Sequence, residues 1–521
     1  MAWTRFTLGA ALAATALPAA AQTAAPTVTL TQGKVAGKYN GPVSAFLGIP
    51  YGADTGGANR FRAPRPAPGW TGVRQATEFG NLCPQPKINK PGALITFAEL
   101  PVSEDCLSLN VWTTTTKAAK RPVMVWLHGG GFGFGSSADK YYEGSSLAAN
   151  QNVILVSINH RLNGFGYLNL GPEAGGAFDA NVGQLDIVEA LRWVRKNIAK
   201  FGGDPANVTV FGQSGGGGKI SSMLAMPVAK GLFQKAIIMS GSDPRNDTIE
   251  QSIAVRDKVL AAAGLTPGEV LKLRDIPMQQ LIDIFTKVGA LAYHPWVDGT
   301  VETSHPFDPA ANPAGAKVPV LVGYTHDEAN SVLVTNPIWP SITDANLPTV
   351  VALATGPDHA AEGIALYRKR MPNEEPRYIF SAMMTDQSFT TTAMTLAERK
   401  LAQSAPVYMY RYDWHTPVRD GILRAPHGFE LPFLFGTQEV SRDMIGSGPA
   451  QDRMQLMMQS TFAAFARTGN PNFKGSPYPF WPRYDMKSQQ VFIFNDPPAV
   501  ARVSEPELVA FWAKVARDKK K

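Results

Sequence analysis

At 521 residues, 44% hydrophobic and 17% charged, the chain has the make-up of a globular protein with a sizeable core, which excludes a disordered or low-complexity polypeptide. Its net charge of +7 is scattered, apart from Lys519-Lys520-Lys521; it reads as a solvated surface with at most a weak bias toward acidic substrates, and argues against a nucleic-acid-binding role. About 150 residues per domain would allow three domains, but no Pro/Ser-rich linker, charge block or repeat divides the chain, so we expect one large α/β domain over 22–521 with long insertions.

The chain opens with the three parts of an export signal. Met1-Ala2-Trp3-Thr4-Arg5 is weakly basic, Phe6 to Leu17 is apolar, and Pro18-Ala19-Ala20-Ala21 supplies small residues for cleavage after Ala21. The apolar run falls short of the roughly 20 residues that span a bilayer, and no other uninterrupted apolar stretch is long enough. The expected product is exported, periplasmic or secreted, without stable membrane insertion. Residues 28–50 then read as an opening strand pair. Residues 52–106 are rich in Pro and Gly and mostly irregular. They hold both cysteines, Cys83 and Cys106, which in an oxidising compartment can close a disulfide loop contributing about 3 kcal/mol.

Leu107 to Trp112 alternates as a strand should, and Pro122 to Leu127 and Val153 to Ile158 read as buried strands. Asp186 to Lys200 is expected to be a helix, with Ile187, Ala190, Leu191, Val194 and Ile198 on one face and Gly202-Gly203 as its stop. Val208 to Phe211, Ala236 to Met239, Val318 to Gly323 and Val407 to Tyr412 follow as strands, and Ile220 to Met226 suits the start of a helix. Residues 245–290 and 340–405 look mainly helical and form the expected substrate-side insertions. Strands alternating with helices imply a largely parallel central sheet with helices on both faces.

Between one strand and the helix after it lies Gly212-Gln213-Ser214-Gly215-Gly216, a G-x-S-x-G sequence of the nucleophile-elbow type. Such a turn is strained, and side chains at its flanks would collide with the neighbouring strand or helix. The helix start points N–H groups toward a forming oxyanion. Upstream, Val123 to Leu127 runs into His128-Gly129-Gly130-Gly131-Phe132, a glycine run whose backbone can face a substrate closely, as in an oxyanion loop. The serine needs a base and the base an acid. The order Ser, acid, His favours His427 among the eight histidines, with His415 second. The acid belongs at the end of Val320 to Tyr324, where Thr325-His326-Asp327-Glu328 leaves Asp327 and Glu328 both open.

Taken together, the motifs resemble those of the type-B carboxylesterases, the family that includes the cholinesterases, over nearly all of the chain from Val28 to Tyr484. The resemblance rests on Phe201-Gly202-Gly203-Asp204-Pro205 through Gly216, on Glu104-Asp105-Cys106-Leu107, and on Gly48-Ile49-Pro50-Tyr51. It rests too on His128 to Phe132, Gly428-Phe429-Glu430-Leu431-Pro432-Phe433, Gly469-Asn470-Pro471 and Trp481-Pro482-Arg483-Tyr484. It implies an α/β-hydrolase fold and a serine carboxylic-ester hydrolase that needs no metal or cofactor and acts on a small-molecule ester. By that resemblance the nucleophile is Ser214, the base His427 and the acid Glu328. The oxyanion donors are the N–H groups of Gly130, Gly131 and Gly215, Ser240 supports the acid, and the family's first disulfide maps onto Cys83 and Cys106.

Two departures stand out. Position 213 is Gln where the family usually has Glu, and the loop between the cysteines has no Trp to face a quaternary ammonium. Both argue against choline esters. The same acyl-enzyme chemistry also serves amides, carbamates and thioesters, and some members of the fold are non-catalytic adhesion proteins; the complete Ser-Glu-His set speaks against the latter. Phe132, Phe134 and the aromatic stretches 290–300 and 410–415 are candidates for the pocket wall.

Overall fold

A computed structural model describes residues 24–518 apart from 90–92, 94 and 504, so the expected export signal lies outside the described residues. The frame is an eleven-stranded sheet. In chain order its strands are β1 (Lys38–Asn40), β2 (Val43–Pro50), β3 (Ser108–Thr113), β4 (Arg121–Leu127), β5 (Ile154–Ile158), β6 (Gly203–Gln213), β7 (Lys235–Met239), β8 (Val320–Thr325), β9 (Val407–Tyr412), β10 (Gln490–Phe494) and β11 (Ala499–Arg502). Across the sheet the order is β11-β10-β9-β8-β7-β6-β4-β5-β3-β2-β1. The run from β10 to β5 is parallel and both edges are antiparallel, so this is the mostly parallel α/β-hydrolase sheet expected from the sequence.

The parallel strands read as apolar runs because helices cover both of their faces. Alternate residues feed separate cores, as the two-residue period of a strand requires. Val123, Val125, Leu127, Val210 and Ile238 pack with Ile187, Leu191 and Val194 of the helix Val182–Asn197. Met124, Trp126, Phe211 and Ile237 pack instead with Met454, Met458, Phe462 and Phe465 of the helix Pro449–Thr468.

Several elements differ from expectation. The opening strand pair is two hairpins: Thr27–Thr29 pairs with Lys34–Ala36 in a small separate sheet, and β1 pairs with β2. The helix expected from Asp186 begins at Val182, and its last turn tightens into a 3₁₀ segment before Gly202. The helix Pro449–Thr468, strands β10 and β11 and the helix Pro506–Asp518 were not anticipated.

Both insertions are helical. The second includes an unbroken helical run over 376–401 whose middle turn, Asp386–Thr390, is a π-helix. Its first part packs with the helix Pro506–Asp518 in a core of its own, built from Tyr367, Phe380, Met383, Phe511 and Trp512. Trp512 Nε1 donates to the Tyr367 hydroxyl at 2.9 Å, and that hydroxyl donates to Asp386 Oδ2 at 2.5 Å. Cys83 and Cys106 form a disulfide. Among the described residues no helix is long and apolar enough to cross a membrane.

Candidate active site

Strand β6 ends at Gln213 and a helix starts at Gly215 and runs to Met223, which leaves Ser214 alone at the turn with φ +58° and ψ −128°. A non-glycine residue held there costs on the order of 1–3 kcal/mol and persists only where its surroundings over-determine it. Here the Ser214 N–H donates to Met239 O at 2.8 Å, and the Ser214 carbonyl accepts from the Gly218 N–H at 3.0 Å. The helix begins earlier than the expected Ile220 because its glycines let it lie against backbone. A Cβ on Gly215 would sit 2.0 Å from Gly131 O, and one on Gly216 2.0 Å from Leu127 O.

Beyond β4 the chain turns through Gly130 at φ +85° and Gly131 at φ +59°. Among the described residues, the N–H groups of Gly130, Gly131 and Gly215 make no hydrogen bond. Gly131 and Gly215 abut, which brings two of the expected oxyanion donors into one neighbourhood.

His427 and Glu328 meet. His427 Nδ1 lies 2.5 Å from Glu328 Oε2, and the Thr325 N–H donates to Glu328 Oε1 at 2.7 Å. Asp327, the alternative acid, faces the other way, accepting from the Ala425 N–H at 3.3 Å and lying 3.0 Å from His326 Nδ1. His415, the second-choice base, is more than half exposed, 3.9 Å from Asp327. On the opposite side of the His427 ring, Nε2 lies 3.0 Å from the Gln213 amide nitrogen. An amide nitrogen can only donate, so the ring proton sits on Nδ1, facing Glu328. Burial works against a charged imidazole here, but Glu328 beside it wins; the His427 pKa is held above its ordinary value.

Ser240, expected to support the acid, lines the same cavity as Ser214, but its Oγ is buried with no partner among the described residues. Glu328 is held instead by the Thr325 N–H and His427 Nδ1.

A sequence profile of the carboxylesterase family matches residues 24–512. The chain belongs to the carboxylesterase family. It is a carboxylic ester hydrolase. The para-nitrobenzyl esterase of Bacillus subtilis is 36% identical to this carboxylesterase, over 92% of this chain and 97% of that protein. The phenmedipham hydrolase of Pseudarthrobacter oxydans is 33% identical, over 93% and 98%. Among solved structures, a Geobacillus stearothermophilus carboxylesterase matches with a TM-score of 0.82 at 35% identity, covering 93% of this chain and 99% of that one.

The carboxylesterase has a cavity of about 430 Å³ reaching Ser214 and Gly215. Phe132, Leu291 and Phe389 form its apolar wall; Asp243, Arg245 and His294 are among its polar groups. Of the aromatic candidates, Phe132 does line it, but Phe134 sets its ring edge-on to Phe97 instead, and Tyr410, Tyr412 and Trp414 are in the core beneath β9. Burial pushes the Asp243 carboxyl up to about 6, against the opposing pull of His294 and Lys219.

Three residues of this region were not singled out in the sequence. Phe389 is brought in by the π turn, and its ring centre lies 5.2 Å from that of His427; nothing in the helical pattern of 340–405 distinguishes it. Glu430 is wholly buried, with neither carboxyl oxygen partnered among the described residues. Burial first, then the nearby Glu328, pushes it up to about 8, so it is protonated at neutral pH. Its only sequence signal is its place in the motif three residues after His427. The third is Lys219, buried one turn into the nucleophile helix.

Proposed function

We propose that this carboxylesterase cleaves esters through Ser214, His427 and Glu328 by way of an acyl-enzyme. His427 Nε2 takes the Ser214 proton as Oγ attacks the ester carbonyl. Glu328 holds the ring by Nδ1–H and stabilises its charged form. The N–H groups of Gly130, Gly131 and Gly215 receive the oxyanion, where losing one donor typically costs about 10²–10³ in rate. The protonated imidazole gives its proton to the leaving alcohol, and water repeats the sequence to release the acid. For Ser214 to reach the imidazole, the Gln213 amide must share or yield the Nε2 lone pair it now occupies. The observation that carries the reading is the 2.5 Å His427–Glu328 contact, whose imidazole lies 5.2 Å from Phe389, a wall residue of the cavity that holds the strained Ser214.

The cavity favours a small ester with an apolar body and a polar end, in keeping with Phe132 and Phe389 on one side and Asp243, Arg245 and His294 on the other. The disulfide supports an exported protein, since such bonds persist in oxidising compartments.

The test is hydrolysis of short-chain p-nitrophenyl esters by the wild type and by Ser214→Ala. We expect kcat to fall by about 10⁴-fold or more, and a fluorophosphonate to label the wild type alone. A Ser214→Ala protein within tenfold of wild type would sink the assignment.

A further inference from the structure

Lys219 has no part in the chemistry above, yet it is placed against it. Its side chain has no solvent exposure. Its Nζ leaves the nucleophile helix and donates to the carbonyls of Gly131, at 2.7 Å, and His128, at 3.2 Å, which are the two ends of the oxyanion turn. The ammonium also lies 5.2 Å from the centre of the Phe132 ring. Burying an ammonium without a direct carboxylate partner is expensive, and two carbonyls, a ring face and a more distant carboxylate hold it there. The charged or titratable groups that act on it or feel it are Asp243, on the segment after β7, and the stacked imidazoles of His128 and His160. Both rings are held neutral, by burial first and by Lys219 second.

We propose that Lys219 is a positioning residue for ester hydrolysis: it clamps the His128–Gly131 loop to the helix that carries Ser214 and sets a positive charge behind the oxyanion. The inference rests on the reading that Gly130, Gly131 and Gly215 hold the oxyanion. Those donors come from two elements, and the Lys219–Gly131 bond ties one to the other where Gly131 abuts Gly215. A positive charge behind the loop acts on the tetrahedral state more than on the neutral ester, so it works through kcat rather than KM. Burial lowers the Lys219 pKa to about 7, with Asp243 pulling the other way, so the charge is lost on the alkaline side of neutrality.

The test compares Lys219→Met and Lys219→Gln with the wild type on a p-nitrophenyl ester, with Ser214→Ala alongside. In Lys219→Met we expect kcat to fall about tenfold to a hundredfold with KM nearly unchanged. Affinity for a trifluoromethyl ketone should fall in parallel, while Ser214 is still fully labelled by a fluorophosphonate at end point. Lys219→Gln, which restores a donor without the charge, should fall between. The wild type should lose affinity for the ketone above neutral pH, and the variants should not; this arm needs only wild-type protein should Lys219→Met fail to fold. A folded Lys219→Met or Lys219→Gln within about threefold of wild type in kcat overturns the proposal. If Ser214→Ala stays active, the underlying assignment fails instead; if it is dead while Lys219→Met is not impaired, only the clamp fails.

Discussion

At the scale of single residues, the departure at position 213 has an electrostatic meaning. The Gln213 amide donates to the nitrogen of His427 that the proposed mechanism uses as base. In Gln213→Glu a carboxylate takes its place and favours the charged imidazole, whose pKa is already raised by Glu328. The ring must be neutral to accept the serine proton, so a higher pKa demands a higher pH. We expect the acid limb of kcat/KM to move up by about one unit, read from a pH–rate profile; a limb that stays put or moves down would refute this account. The proposed nucleophile and base, Ser214 and His427, were legible in the sequence because a short motif and the chain order point to them. The acid was legible only to within two residues. Asp327 and Glu328 follow the same strand end, and adjacent residues on a turn point apart, so only the folded turn sends Asp327 to Ala425 and Glu328 to His427. The Gln213–His427 contact spans most of the second half of the chain and leaves no local trace.

The nucleophile helix shows what an element must give up to sit at such a site. Its glycines weaken it as a helix, and its contacts explain them. Gly215→Ala would put a methyl group 2.0 Å from Gly131 O, a backbone atom with no side-chain freedom to retreat. We expect the oxyanion loop to be displaced and kcat to fall by about 10²-fold, with the fluorescence-monitored unfolding transition retained; a variant with wild-type kcat would show that the loop yields at no cost. The buried strands were legible as apolar runs, since a parallel sheet covered on both faces requires little else. The helix Pro449–Thr468 was not. Gln451, Gln459 and Thr461 interrupt its apolar face, although all are buried. Gln451 donates to Ile445 O at 2.8 Å and Thr461 to Met457 O at 2.8 Å, polar contacts made inside the core that a reading of periodicity alone passes over. The π turn at Asp386–Thr390 was hidden for a related reason: one extra residue per turn leaves a helical pattern that still looks helical.

Across the whole molecule, buried carboxyls tie stability to pH. Burial is the first cause that raises Glu430 and Glu302 to about 8 and Asp139 to about 7. A carboxyl whose folded pKa exceeds its unfolded one is bound to its proton more tightly in the native state. Its contribution is whole below the unfolded value, near 4, and is lost as pH rises through the folded value. These groups should make the protein less stable as pH rises from about 5 to 8, measured as a falling Tm. Glu430→Gln, neutral at every pH and of the same shape, should flatten that decline; a slope identical to wild type would mean that Glu430 does not titrate across this range.

The hydrogen-bonded series Trp512–Tyr367–Asp386 joins the helix Pro506–Asp518 to the first residue of the turn that carries Ser388 and Phe389 into the cavity. It gives the enzyme an evolutionary degree of freedom. We expect substitutions in that far helix to be felt at the pocket wall while β6, β8 and the ends of those strands stay as they are, which would open remote positions to a lineage exploring new esters.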